Sequence, residues 1–219
     1  MIVVIDYGMG NLHSVRKALE VAGARVKVSS RPADIKKAEK IVFPGVGAFG
    51  EAMKELGRRR LAVPIKDAIS TGKPFLGLCL GLQLLFENSG EASGVKGLGV
   101  LKGEVRRFRF ASCLPAGKAG VGRRTCEKLK VPHMGWNQVS KYQSVKVSKI
   151  LQGVPNGSYM YFVHSYYVVP ADKRDILTTT DYGIDFVSGI RKDNIYAFQF
   201  HPEKSQEMGL KILKNFVQL

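Results

Sequence analysis

In the first half of the chain, short runs of apolar residues alternate with stretches whose apolar positions recur every three or four residues. Residues 2–6 read as a buried strand that ends in an acid, as a parallel strand does where its carboxyl end meets solvent. The loop Tyr7-Gly8-Met9-Gly10-Asn11 leads into a helix over 12–22, with Leu12, Val15, Leu19 and Ala22 on one face and Gly23 as its stop. The same reading gives a strand over 25–28, a short helix over 33–38 after Pro32, and a strand over 40–43. One or two helices follow over 51–71, then a strand over 75–78 that ends at Cys79. Beyond it Leu82, Leu84, Leu85 and Phe86 predict an apolar helix. This alternation predicts an α/β fold: a doubly wound, mainly parallel sheet flanked by helices, with right-handed crossovers.

Past Val95 the pattern changes. β-type runs occupy 100–110, 138–139, 159–163, 166–169, 176–180, 186–190 and 195–200, and helix returns only over 206–217. These runs predict an antiparallel extension of the sheet in the C-terminal half. No internal repeat and no linker interrupts the chain, so residues 1–219 read as a single domain. Residues 111–130, rich in Gly, Ala and basic side chains without periodicity, read as an exposed loop insertion.

Composition narrows the class. A length of 219 residues suits one domain with a sizeable core. An apolar fraction of 45% with 24% charged residues excludes a mostly disordered chain. Residues 150–171 contain no Asp, Glu, Lys or Arg, but Gln152, Pro155, Asn156, Gly157, Ser158 and His164 exclude a membrane helix there. The opening MIVVID lacks the basic region and cleavage site of a signal peptide, and three cysteines without paired spacing make no disulfide scaffold. A cytoplasmic protein is expected.

Charge is the unusual quantity: 34 Lys and Arg against 18 Asp and Glu give a formal net of +16. Such a field attracts nucleic acid, anionic substrates or an acidic protein face, and is equally the mark of a solvated basic surface. The basic residues are scattered, with short runs at Arg58-Arg59-Arg60, Arg106-Arg107 and Arg123-Arg124, and no helix interleaves them with aromatics. A nucleic-acid-binding function rests on the charge alone.

The candidate chemistry lies at the ends of the predicted strands, where open α/β sheets place ligands. Gly77-Leu78-Cys79-Leu80-Gly81 joins a strand to a helix as a nucleophile elbow does, with Cys in place of Ser; the same pentapeptide also fits a buried core cysteine. A helix N-terminus behind Cys79 would stabilise its thiolate. Phe198-Gln199-Phe200-His201-Pro202-Glu203 delivers a histidine and an acid two residues on. These are either a general base with its orienting carboxylate or a structural pair at a strand end. Pro44-Gly45-Val46-Gly47 ends the third strand, and its glycines free backbone N–H groups to face an oxyanion together with the N–H of Leu80.

GLCLGLQ with a downstream FHPE resembles the class I glutamine amidotransferases. DYGMGN (residues 6–11), PGVGAFG (44–50), PHMGWN (132–137) and YFVHSYY (161–167) narrow the resemblance to the glutaminase subunits of imidazole glycerol phosphate synthases, in histidine biosynthesis. The resemblance runs nearly end to end and fails only around 111–130. It implies that Cys79 attacks the carboxamide of glutamine to form a glutamyl thioester, with His201 as base and then acid and Glu203 orienting it. Val46 and Leu80 would form the oxyanion hole, the Gly45-Val46 loop turning a peptide plane to complete it. Gly47, Gln83, Ser165 and Tyr166 match positions that hold the substrate L-glutamine. A cyclase (β/α)8-barrel subunit would complete a heterodimer and receive the ammonia through its interior. It would use that ammonia to make imidazole glycerol phosphate and an aminoimidazole carboxamide ribonucleotide. Trp136, Asn137, Tyr161 and Lys204 match positions near that interface, and core packing is the plain alternative for Trp136. The residues named do not separate this reading from a paralogue that feeds ammonia to a different barrel, as in cell-surface sugar biosynthesis.

The remaining polar residues call for no cofactor and no metal. Cys113 and Cys126 lack ligand spacing and read as free surface thiols. His13 and His133 read as structural or surface residues, and His164 as a neighbour of the active-site mouth. Gly8 and Gly10 lack the third glycine and the acid of a dinucleotide fingerprint.

Overall fold

Both faces of the N-terminal strands are covered, as continuous apolar runs require. The computed structural model describes residues 1–109, 129–142 and 148–219. The expected insertion over 111–130, with Cys113 and Cys126, lies outside the described residues except for its last two positions. In chain order the first half forms β1 (Ile2–Ile5), α1 (Leu12–Val21), β2 (Val26–Ser29), α2 (Pro32–Lys37), β3 (Lys40–Gly45), α3 (Phe49–Arg58), α4 (Ala62–Ser70), β4 (Phe75–Cys79) and α5 (Leu80–Gln83). The rest forms β5 (Asn88–Ser89), β6 (Gly103–Arg107), β7 (His133–Lys141), β8 (Ser158–His164), β9 (Tyr166–Pro170), β10 (Ile176–Asp181), β11 (Asp185–Lys192), β12 (Ile195–Phe198) and α6 (Gln206–Gln218).

The strands make one mixed sheet in the order β2-β1-β3-β4-β12-β11-β10-β7-β8, with β9 pairing β11 and β6 pairing β9 and β5. β1 to β4 and β12 run parallel, and the pairs from β12–β11 to β7–β8 are antiparallel. Alternate residues of each central strand serve opposite faces. Ile2 and Val4 pack with Val15 and Leu19 of α1 and Ile212, Leu213 and Phe216 of α6. Val3 and Ile5 pack with Ile35, Phe49, Ala52, Leu56 and Ile65 of α2, α3 and α4. Helices therefore cover both faces, the doubly wound arrangement that the apolar runs predict.

The stretch over 51–71 is two helices because Pro64 cannot sit in a helix interior; it occupies the first turn of α4, where no N–H is needed. Arg60, at φ +55°, makes the break. The apolar helix expected after Cys79 is corrected to a single turn. The carbonyls of Leu84, Leu85 and Phe86 are taken by the N–H groups of Leu98, Val100 and Gly99 at 2.8, 2.9 and 3.1 Å, so no further helical turn can form. Of the strand expected over 100–110, the described residues form β6 alone, for the same reason: Val100 and Leu101 are committed to Leu85.

Register brings three strand ends together. Gly45 lies opposite Cys79, and Leu78 opposite Phe198. The approach of α5 to β3 depends on Gly81, whose added Cβ would fall on the Phe43 carbonyl oxygen. Backbone cannot yield there as a flexible side chain would. Gly81→Ala is expected to lower stability by about 2–3 kcal/mol, the upper range for overpacking, read as a drop in the urea midpoint. An unchanged midpoint would show that α5 is free to move off β3.

Candidate active site

Cys79 ends β4 at φ +53° and ψ −108°, a conformation that L residues avoid and that marks a sharp turn held by its surroundings. Gly81 is required by contact, because it presses on β3, and Gly77 is tightly placed: a Cβ there would lie 3.1 Å from that of Ala197. The turn places the sulfur where it donates to the Val163 carbonyl at 4.0 Å and accepts from Gln199 Nε2 at 3.7 Å. The helix behind Cys79 has only four residues, so its dipole contributes little and the side-chain neighbours matter more.

His201 follows β12 and is buried. Its N–H donates to the Tyr161 carbonyl at 2.9 Å and its own carbonyl accepts from Ser205 Oγ at 2.7 Å, which fixes the backbone. Nδ1 lies 2.8 Å from Glu203 Oε1. A carboxylate only accepts, so Nδ1 carries the proton and Nε2 is left for the sulfur side. Nε2 is buried and meets no hydrogen-bond partner among the described residues. Burial works against a charge on this ring, but the Cys79 sulfur and the Glu203 carboxylate outweigh it and push the imidazole pKa up to about 10. The imidazolium is thus the favoured form beside the Glu203 carboxylate and the Cys79 sulfur.

A cleft of about 280 Å³ opens over Cys79. Val46, Gly47, Leu80, Gln83, Ser165 and Tyr166, the expected oxyanion and glutamine positions, all line it. Gly47 is at φ +103°, a backbone that favours glycine. Gln83 uses its Nε2 twice, toward the Tyr166 carbonyl at 3.1 Å and Gln199 Oε1 at 3.0 Å, so what it can offer a ligand is its carbonyl oxygen.

Two residues of the site escape the sequence reading. Glu91 lines the cleft and is held there by the Phe49 N–H at the start of α3, 2.8 Å away. It sits in the polar run ENSGEASG, where nothing distinguishes it. Gln199, fully buried, was visible only as a polar residue between Phe198 and Phe200.

The positions expected at an interface divide. Trp136 is 45% exposed and meets Tyr161 edge-on at 6.1 Å between centroids, and Lys204 Nζ stands 5.6 Å over the Tyr161 ring. Met134 and Tyr159 extend this exposed apolar surface on β7 and β8. Asn137 faces the other side of β7, donating to the Asp181 carbonyl at 2.8 Å and lying 3.2 Å from His133 Nε2. His133 is buried, and its Nδ1 lies 3.0 Å from Nε2 of His164, which lines the cleft. Burial lowers the pKa of His133 to about 4 and that of His164 to about 3. No helix of the described residues is long and apolar enough to cross a membrane.

The family model "Glutamine amidotransferase class-I" matches residues 3–219. The chain is 54% identical over 215 residues to the imidazole glycerol phosphate synthase subunit HisH of Aquifex aeolicus (strain VF5), covering 98% of this chain and 94% of that one. Identity to the subunit of the same name from Syntrophotalea carbinolica is 48% over 216 residues, covering 99% and 98%. Among solved structures, a glutamine amidotransferase superposes with a TM-score of 0.72 at 15% identity over 100% of both chains. PurLQS from Thermotoga maritima gives 0.71 at 18% identity over 99% and 97%. At such identities these two share the fold.

Proposed function

Because this chain belongs to the class I glutamine amidotransferase family, we propose that it is the glutaminase subunit of an imidazole glycerol phosphate synthase, acting in histidine biosynthesis. The observation that carries the chemistry is Cys79 on the cleft with the hydrogen-bonded His201–Glu203 pair behind it, the ring coupled to the sulfur. The Cys79 thiolate attacks the side-chain carboxamide carbon of glutamine, and the N–H groups of Leu80 and Val46 receive the developing oxyanion. His201, charged in the resting site, gives its proton to the leaving nitrogen, and ammonia departs from a glutamyl thioester. The neutral ring then takes a proton from water as it attacks, and glutamate leaves with the thiolate restored. Glu203 holds the ring in the tautomer this sequence needs. Gly47, Gln83, Ser165 and Tyr166 hold the glutamine, and the Glu91 carboxylate supplies the negative charge that suits its α-ammonium.

The partner is a cyclase (β/α)8-barrel subunit, which receives the ammonia. The cluster of exposed Trp136 and Lys204 around half-buried Tyr161 supports docking beside His201, since aromatic residues favour the centres of such contacts. Asn137 contributes from within by tying β7 to Asp181. The compartment is the cytoplasm. The high identity to subunits named for imidazole glycerol phosphate synthase favours this pathway over a paralogous one. A nucleic-acid function loses support because Arg58 and Arg59 are paired with Glu55, and Arg106 with Glu104.

The test is glutamine hydrolysis by the chain alone and with a histidine-pathway cyclase plus its ribonucleotide. Activity is expected to be weak alone and to rise about 10²-fold in the complex, the worth of a completed oxyanion donor, with imidazole glycerol phosphate formed. Glutamate without that product would assign the chain to another barrel.

A further inference from the structure

The Cys79 sulfur has a polar neighbour that the steps above do not use. Gln199 is fully buried just past β12, and its Nε2 donates to the sulfur at 3.7 Å. An amide at such depth is costly unless both of its ends are partnered. Its partners also decide which way round it sits. The Tyr166 carbonyl is an acceptor only, so Gln83 must meet it with its N–H₂ group, which also reaches Gln199 Oε1. Gln199 is then obliged to show its oxygen to Gln83 and its N–H₂ to Cys79. The Tyr166 carbonyl is fixed in turn by His164 Nδ1 at 2.8 Å.

The two neutral polar contacts of the sulfur favour different protonation states. The Val163 carbonyl accepts from a thiol and repels a thiolate. The Gln199 amide donates, and its bond strengthens when the sulfur is charged. Unlike His201, an amide does not titrate, so its contribution is the same before and after the imidazolium has given up its proton.

We propose that Gln199 is a further residue of the catalytic machinery: an amide donor, oriented by Gln83 and the Tyr166 carbonyl, that holds the Cys79 sulfur as a thiolate for attack and receives it again when the thioester is cleaved. This rests on the reading of Cys79 as nucleophile.

The test compares the full-length chain with Gln199→Met, which keeps bulk without a donor, and Gln199→Glu, which keeps shape without an N–H. Alkylation by iodoacetamide at pH 7 without glutamine is followed on the peptide carrying Cys79, because the chain has two other cysteines. Hydrolysis is measured as kcat and KM separately. Alkylation rate and kcat are expected to fall together by roughly tenfold, the scale of a hydrogen bond to a charged group, with KM within about twofold. A folded variant that alkylates at the wild-type rate overturns the proposal. A loss confined to KM does the same and leaves Gln199 as packing. If both variants fail to fold, Gln83→Met, which frees Gln199 to turn, must show the alkylation loss; no loss there is equally fatal. Hydrolysis surviving in Cys79→Ala would instead remove the parent reading, whatever Gln199 does.

Discussion

Cys79→Ala is expected to reduce glutamine hydrolysis by a factor on the order of 10⁵, the scale seen when a nucleophile that works as part of a unit is removed. The size follows from the cleft itself. Cys79 is the only cysteine among the described residues, and among those residues no other thiol or amine lines the cleft. His201, deprived of the sulfur, loses one of the two neighbours that keep it charged. Without the sulfur no thioester can form, and water would have to attack the unactivated carboxamide directly. Backbone strain should be unchanged, because alanine takes the same conformation, and the loss of stability should be limited to the support that the sulfur gives the His201 charge. Binding to the cyclase should persist, since Trp136, Tyr161 and Lys204 do not touch the sulfur. The decisive comparison is glutamate release by wild type and variant in the same complex. Residual hydrolysis within tenfold of wild type would mean that Cys79 is a structural cysteine and that the catalytic assignment of His201 and Glu203 falls with it.

The parts of this site that are legible in the sequence are those whose chemistry is local. Cys79 stands between glycines that a tight turn needs, and His201 and Glu203 are two residues apart, so spacing alone suggests their pairing. The N-terminal strands are legible because burial on both faces leaves unbroken apolar runs such as IVVI. β7 is legible only at residues 138–139, because its other inward positions are His133, Gly135 and Asn137, which look like surface until His164 and Asp181 arrive from other strands to satisfy them. The single turn of α5 is also invisible locally. Its leucines favour helix, and only the loop near residue 100 removes the carbonyls that helix would use. Glu91 and Gln199 share this difficulty: each acquires its role from partners on distant segments, Phe49 for one and Gln83 and Cys79 for the other.

The buried histidine pair sets the second large expectation, a steep loss of stability as pH falls from about 6.5 to 4. His164 Nδ1–H donates to the Tyr166 carbonyl, so its Nε2 must accept, and His133 Nδ1–H is the donor facing it. His133 Nε2 then accepts from the Asn137 amide. Every ring nitrogen is occupied while both rings are neutral, and protonating both would set two cations 3.0 Å apart in an apolar setting. Their folded pKa values, about 4 and about 3, lie below the unfolded value of 6.5. The unfolded chain therefore binds more protons below pH 6.5, and stability falls there until each folded pKa is passed. The loss is on the order of 2–3 kcal/mol per ring at pH 4. His201 acts with the opposite sign: its raised pKa contributes stability that is complete below pH 6.5 and is lost as pH rises toward about 10. Urea midpoints across pH 4 to 8 for wild type and for His133→Gln and His164→Gln separate the contributions, since an amide does not titrate. The acid limb should flatten in the variants, and equal slopes in all three chains would remove the pair as its cause. Because His164 lines the cleft and anchors the Tyr166 carbonyl that orients Gln83, hydrolysis should fail over the same acid range in which the pair gives way.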